Sequence, residues 1–71
     1  MLQPHQQRVV EESEELALKI NKLREFINGP IYLSMGEEEQ VLLFQQFKAM
    51  QQYQFVLSQR ILRFKMTGIM R

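Results

Sequence analysis

The chain has 71 residues, a formal net charge of +1 and no cysteine, and 45% of its residues are apolar. This composition is typical of a foldable, soluble chain and not of a disordered one, and the length allows one domain at most. A domain of this size buries only about 60% of its extended surface, so it needs an added source of stability. The absence of cysteine excludes disulfides and thiolate metal sites, and we therefore expect oligomerisation.

The residue types that build common catalytic and metal sites are scarce. All eight acids are glutamates, and His5 is the single histidine. These counts exclude an EF-hand loop, a Ser-His-Asp triad and a His-rich zinc site. Ser13, Ser34 and Ser58 have no visible base, and there is no glycine-rich phosphate cradle. The sequence therefore predicts a protein that is not an enzyme and that holds no metal or cofactor.

The distribution of apolar residues also bears on the compartment. The chain has no run of about 18 apolar residues, which a transmembrane helix would need. Residues 1–7 lack the basic and apolar regions of a signal peptide. We therefore expect a cytoplasmic protein that does not contact a membrane.

The first predicted element is a helix from about residue 4 to about residue 28. Pro4 suits the first turn, where its missing N–H costs nothing. Apolar residues spaced alternately by four and three form one stripe, which is typical of the seam of a packed helix pair. Ser13 is the polar member of that stripe. Its apolar members are Val9, Leu16, Ile20, Leu23 and Ile27.

The sequence Asn-Gly-Pro at 28–30 predicts the end of this helix, with Gly29 left-handed and the proline preventing continuation. Residues 29–34 form the predicted connection, and we expect its three apolar side chains to fold over the end of the core. These side chains are Ile31, Tyr32 and Leu33. Ser34 and Glu37 match a capping box in which Ser34 is the N-cap of the next helix.

The second helix is predicted over about 35–65, with a frayed tail at 66–71. In an antiparallel hairpin, paired residue numbers sum to roughly 70, so Ser13 and Gln54 lie about one layer apart. We interpret this polar pair as a hydrogen-bonded device that sets the register. The predicted fold is all-α, a two-helix antiparallel hairpin in one domain. The seam of the second helix consists of Leu43, Phe47, Met50, Leu57, Ile61 and Phe64.

The second helix has more apolar surface than one partner helix can cover. Its second stripe consists of Leu42, Ala49, Tyr53 and Val56. Its third stripe, on the far side, consists of Phe44, Phe55 and Leu62. In a monomer these stripes would leave a larger apolar patch than soluble monomers usually tolerate. We predict a homo-oligomer built on this helix, most simply a dimer that forms a four-helix bundle. The alternative, compatible with it, is that the third stripe docks another protein.

Charge is divided along the chain. The first 39 residues contain every acid and carry a net charge of −4, whereas residues 40–71 carry +5. The hairpin brings the glutamates of residues 11–15 close to the basic end, which favours mutual neutralisation. An anion or phosphate site and a duplex DNA site are the alternatives, and a net charge near zero argues against strong nucleic-acid binding. The candidate anion-binding residues are Tyr32, Arg60, Arg63 and Lys65.

Two long segments of the sequence carry a family resemblance. The first runs from His5-Gln6-Gln7-Arg8-Val9-Val10 to Phe26-Ile27, and the second from Glu38-Glu39 to Arg60-Ile61. Together they resemble a family of short, uncharacterised phage and prophage proteins over residues 5–64. The chain departs from the family in its phenylalanine-rich second helix. The resemblance implies a viral gene product acting in a bacterial cytoplasm, and it carries no catalytic residues.

Three functions fit these observations. Small phage proteins without catalytic machinery generally bind a host or phage protein stoichiometrically, often to inhibit a defence system, and the surplus apolar surface favours this function. The second is an oligomeric sponge for a cyclic-nucleotide immune signal, with Tyr32 or Tyr53 stacking on bases and Arg60 or Arg63 contacting phosphate. The third is nucleic-acid binding through the basic end of the chain.

Overall fold

The computed structural model describes the backbone of residues 2–69 and the side chains of residues 2–65. It contains three helices in these ranges and no strand: α1 (Pro4–Ile27), α2 (Pro30–Ser34) and α3 (Glu37–Ile69). Helices α1 and α3 pack antiparallel. Two contacts show this orientation: Ser13 meets Gln54 toward the open end, and Arg24 lies over Phe47 near the connection. The predicted all-α hairpin is therefore present, with an additional short helix.

Local backbone chemistry explains where α1 begins and ends. Pro4 occupies the first turn, and the backbone N–H of Gln3 donates to Gln6 Oε1 at 2.9 Å. At the other end, the N–H groups of Asn28 and Gly29 donate to carbonyls of the last turn, each at 3.1 Å. Arg24 lies in that last turn, where a positive charge favours the helix dipole.

The predicted left-handed Gly29 is wrong. This residue is extended, with φ −100° and ψ 172°, and serves as the N-cap of α2. The physical reason is the following proline, which disfavours helical conformations in the residue before it and starts a new helix itself. The connection predicted at 29–34 is therefore largely one short helix.

The predicted N-cap of α3 is wrong as well. Ser34 closes α2, where its Oγ donates to the carbonyl of Ile31 at 2.7 Å, and α3 begins only at Glu37. The hydroxyl is thus engaged within the preceding helix, so it does not form the capping box expected with Glu37.

The apolar side chains of α2 do not cover the core as expected. Ile31 and Leu33 are 62% and 75% exposed, and Tyr32 is the half-buried member of the trio. Gln40 holds this segment against α3: its side-chain amide donates to the carbonyls of Tyr32 and Met35 at 2.9 and 3.0 Å. The Tyr32 hydroxyl donates in return to the Gln40 carbonyl at 3.0 Å.

The core lies along the predicted seam between α1 and α3. Leu57 is 1% exposed and is the most completely buried large side chain of the described residues. The buried Ser13 accepts a hydrogen bond from Gln54, which confirms the predicted hydrogen-bonded polar pair. The other buried apolar residues are Val9, Leu16 and Ile20, and Phe47, Met50, Ile61 and Phe64 pack against them.

Helix α3 continues past its predicted end at residue 65. The predicted end of this helix is four residues too early, because residues 66–69 are helical, and residues 70–71 of the predicted tail lie outside the described range. Within residues 2–69, none of the helices combines the length and apolar content that crossing a bilayer would require.

Candidate functional site

Helix α3 presents most of the exposed apolar surface on the predicted interface positions. The exposed fractions of the six large side chains at these positions run from 43% for Val56 to 63% for Leu42. Ala49 is exposed too. The remaining members are Phe44, Tyr53, Phe55 and Leu62. Helix α1 thus leaves all seven predicted interface positions accessible.

Two separate faces carry these residues. Neighbouring residues of a helix point about 100° apart, so Val56 lies about a quarter turn from the buried Leu57. Phe55 lies nearly opposite Leu57 by the same geometry. Helix α1 packs on the Leu57 side, which explains why both the Val56 face and the Phe55 face stay open.

Two cations and two aromatic rings meet on the surface between α1 and α3. The rings of Phe44 and Phe47 have centroids 6.4 Å apart and are tilted by 42°. The Arg24 guanidinium lies 5.5 Å from the Phe47 ring centre, and Lys48 Nζ lies 5.6 Å from that of Phe44. We call Arg24, Phe44, Phe47 and Lys48 the cation–aromatic cluster.

Arg24 of this cluster also forms a hydrogen bond within its own helix. Its Nη1 donates to Asn21 Oδ1 at 2.8 Å, one turn back along α1. Arg24, Phe44 and Lys48 are exposed, and Phe47 is half-buried against the core. Exposed ring faces can stack on a base, and a cation beside a ring can bind phosphate, so the cluster offers both groups that a nucleotide requires.

Sequence reasoning missed this cluster. Phe44 and Lys48 are four residues apart on one helix, a spacing that brings side chains together. Arg24 joins them only across the hairpin. The residue numbers of Arg24 and Phe47 sum to 71, close to the sum of roughly 70 that is predicted for paired residues. The signal was present in the register, but Arg24 was not among the candidate residues.

The predicted anion-binding residues lie at two ends of the molecule. Tyr32 contacts Gln40 at the connection, whereas Arg60, Arg63 and Lys65 are exposed near the other end of α3. Gln40 and Arg60 are twenty residues apart, which corresponds to about 30 Å of helix. A single chain therefore does not combine Tyr32 with the basic group. Tyr53 is closer, about 10 Å along the helix from Arg60.

Shallow surface grooves lie near the connection. One is lined by Lys22, Glu25 and Phe26 of α1 and by residues 29–31. Another lies beside α3 and is lined by Met35, Leu42 and neighbouring residues. Neither groove includes a member of the cation–aromatic cluster.

Comparison with known proteins gives a consistent picture. A family model described as Sequestin matches residues 3–63. An uncharacterised 7.5 kDa protein from the denB-rIIB intergenic region of Enterobacteria phage T4 is 43% identical over 61 residues. That alignment covers 86% of this chain and 95% of the T4 protein. No solved structure matches the chain. The predicted resemblance to short phage proteins is confirmed.

Proposed function

The chain belongs to the Sequestin family, and from this premise we propose that it is a phage protein that sequesters its target by stoichiometric binding without transforming it. The target that we propose is a cyclic-nucleotide immune signal in the cytoplasm of the bacterial host. The cation–aromatic cluster is the observation that carries this proposal. The family name, which denotes sequestering, supports it.

The chemistry of the cluster suits such a ligand. A cyclic nucleotide combines flat bases with phosphodiesters that keep a negative charge at neutral pH. Phe44 presents an exposed ring for stacking, and each stacked base contributes about 1–3 kcal/mol in known complexes. Arg24 and Lys48 supply fixed positive charge, and arginine can bind a phosphate through two parallel hydrogen bonds.

Stoichiometric action also fits the scarcity of catalytic groups. The sequence shows no nucleophile with a visible base, and a sponge needs neither. One chain supplies both rings and both cations of a cluster, so we expect one ligand per chain. A homo-oligomer would then carry as many clusters as it has chains.

A host protein is the second candidate target, and the third stripe favours it. Phe55 is 57% exposed and Leu62 is 49% exposed on the side of α3 farthest from the core. Exposed aromatic and aliphatic residues of this kind commonly anchor protein interfaces. Binding there would inhibit the partner, for example a defence protein, by covering its surface.

Isothermal titration calorimetry of the full chain with a panel of cyclic di- and trinucleotides tests the first candidate. We expect saturable heat with at least one of them, at one ligand per chain. Arg24→Gln and Lys48→Gln should each weaken binding about tenfold or more, because each removes one phosphate contact. Lys19→Gln is the matched control, since Lys19 is an exposed cation of α1 outside the cluster.

The predicted basic group gives a second set of variants. If Arg60→Gln and Lys65→Gln weaken binding while the cluster variants do not, the ligand binds at the end of α3 and the cluster assignment is wrong. If no cyclic nucleotide gives heat, the sponge hypothesis fails. Capture of a defined host protein that is lost in Phe55→Glu would then support the second candidate.

A further inference from the structure

We propose that two copies of this chain associate antiparallel through the Val56 face of α3, around a two-fold axis near residue 51. This inference specifies the homo-oligomer of the proposed function, but it does not require a ligand. We call the contacting residues the α3 seam. They are Glu38, Leu42, Gln45, Ala49, Tyr53, Val56, Arg60 and Arg63.

The seam forms a continuous exposed line. Its members are separated by three or four residues throughout, which keeps them on one side of the helix. All eight are exposed within the described chain. The line spans 25 residue steps, or about 38 Å of helix, which is long enough for an extended helix–helix contact.

The seam can face itself when the two helices run in opposite directions. If each residue of one copy faces the residue of the second copy whose number brings the sum to 101 or 102, every seam member faces another seam member. Leu42 faces Arg60, Gln45 faces Val56, and Ala49 faces Tyr53. A two-fold contact requires this property, because the same surface must match itself.

Charge selects the antiparallel arrangement over the parallel one. Helix α3 has its three acids in the first turn, Glu37 to Glu39, and no acid follows them in the sequence. Antiparallel pairing places Glu38 opposite Arg63 and within one turn of Arg60 of the second copy. Parallel pairing would place glutamates against glutamates and arginines against arginines, and like charges in contact are destabilising.

Side-chain size is complementary near the axis. Ala49 is small and Tyr53 is large, so each tyrosine can pack over the alanine of the other copy. The seam lies about a quarter turn from the face that contacts α1, which is the arrangement that a four-helix bundle requires. Phe44 and Phe55 lie outside the seam, so the cation–aromatic clusters stay accessible on both copies.

Sedimentation equilibrium of the full chain without any ligand tests the association. We expect a dimer at micromolar concentration, and Ala49→Glu and Val56→Glu should raise its dissociation constant about 30-fold or more. Phe55→Glu is the matched control, because Phe55 is the sequence neighbour of Val56 on a different face. Loss of the dimer in Phe55→Glu but not in Val56→Glu would overturn the proposal, as would a monomer at all concentrations.

Charge reversal tests the orientation. Glu38→Arg and Arg63→Glu should each weaken the dimer, and the double variant should restore it. A double variant weaker than either single variant would show that these residues do not meet. Circular dichroism of every variant checks that the hairpin is still folded.

Disulfide capture tests the register, since the chain has no cysteine of its own. A mixture of Ala49→Cys and Tyr53→Cys chains should form a cross-linked dimer more efficiently than either variant alone. Preferential cross-linking of Ala49→Cys with itself would indicate parallel pairing and reject the proposed register. Calorimetry with nucleotides is measured separately, so failure of the dimer and failure of the sponge hypothesis are distinguishable.

Discussion

Gln54 donates a 3.0 Å hydrogen bond from its Nε2 to Ser13 Oγ across the hairpin, between residues 41 positions apart. Ser13 is buried, and the other amide atom, Gln54 Oε1, is buried without a hydrogen-bond partner. A one-turn slip of α1 against α3 would leave both polar side chains facing apolar neighbours. Because an unpaired buried polar group is costly, this contact favours one register over the alternatives.

Removing one partner of this pair should destabilise the folded chain more than removing both partners. Ser13→Ala leaves the Gln54 amide unpaired and should lower the free energy of unfolding by about 1–3 kcal/mol. Ser13→Ala combined with Gln54→Leu should recover most of this loss, because no polar group is then buried. Urea unfolding at fixed protein concentration measures the free energy of unfolding of the single and the double variant. A double variant less stable than Ser13→Ala would contradict this account.

Leu57 should be the most sensitive large apolar side chain of α3. It is 1% exposed, so truncation to alanine leaves a cavity and should cost about 2–5 kcal/mol. Phe55→Ala, two residues away and 57% exposed, should change stability by less than about 1 kcal/mol. If Leu57→Ala does not fold, Leu57→Val gives the smaller, measurable loss. Equal losses at Leu57 and Phe55 in thermal melts would mean that the core lies elsewhere.

Gln40 is expected to hold α2 against α3. Gln40→Ala removes the amide that donates to the carbonyls of Tyr32 and Met35, and should destabilise the connection by about 1 kcal/mol. Hydrogen exchange should then become faster in residues 30–35 but not around Leu57. Gln59→Ala is the control, since Gln59 is an exposed glutamine of the same helix, whereas Gln40 is half-buried. Unchanged exchange in the connection would argue against this function of Gln40.

Periodic features of the sequence predicted the long-range structure better than the local connection. The spacing of Leu16, Ile20 and Leu57 identified the core because apolar burial is the dominant favourable term in folding. The segment at 28–37 depends on backbone preferences of similar, small free energy. The preference of the residue before Pro30 for an extended conformation therefore outweighed the left-handed conformation expected for Gly29. The cation–aromatic cluster was missed because it depends on a contact between Arg24 and Phe47, and no local pattern marks that pair.

Gly29→Ala tests the corrected connection directly. A left-handed glycine would make alanine destabilising by about 1 kcal/mol or more, whereas extended backbone accepts a Cβ. At φ −100°, an added Cβ would lie 3.4 Å from the carbonyl oxygens of Glu25 and Phe26, close to ordinary contact. Alanine also restricts the unfolded chain, so we expect a change between neutral and about 0.5 kcal/mol of stabilisation. Thermal unfolding of the two proteins at equal concentration measures this difference. A melting temperature clearly below that of the parent chain would contradict this expectation.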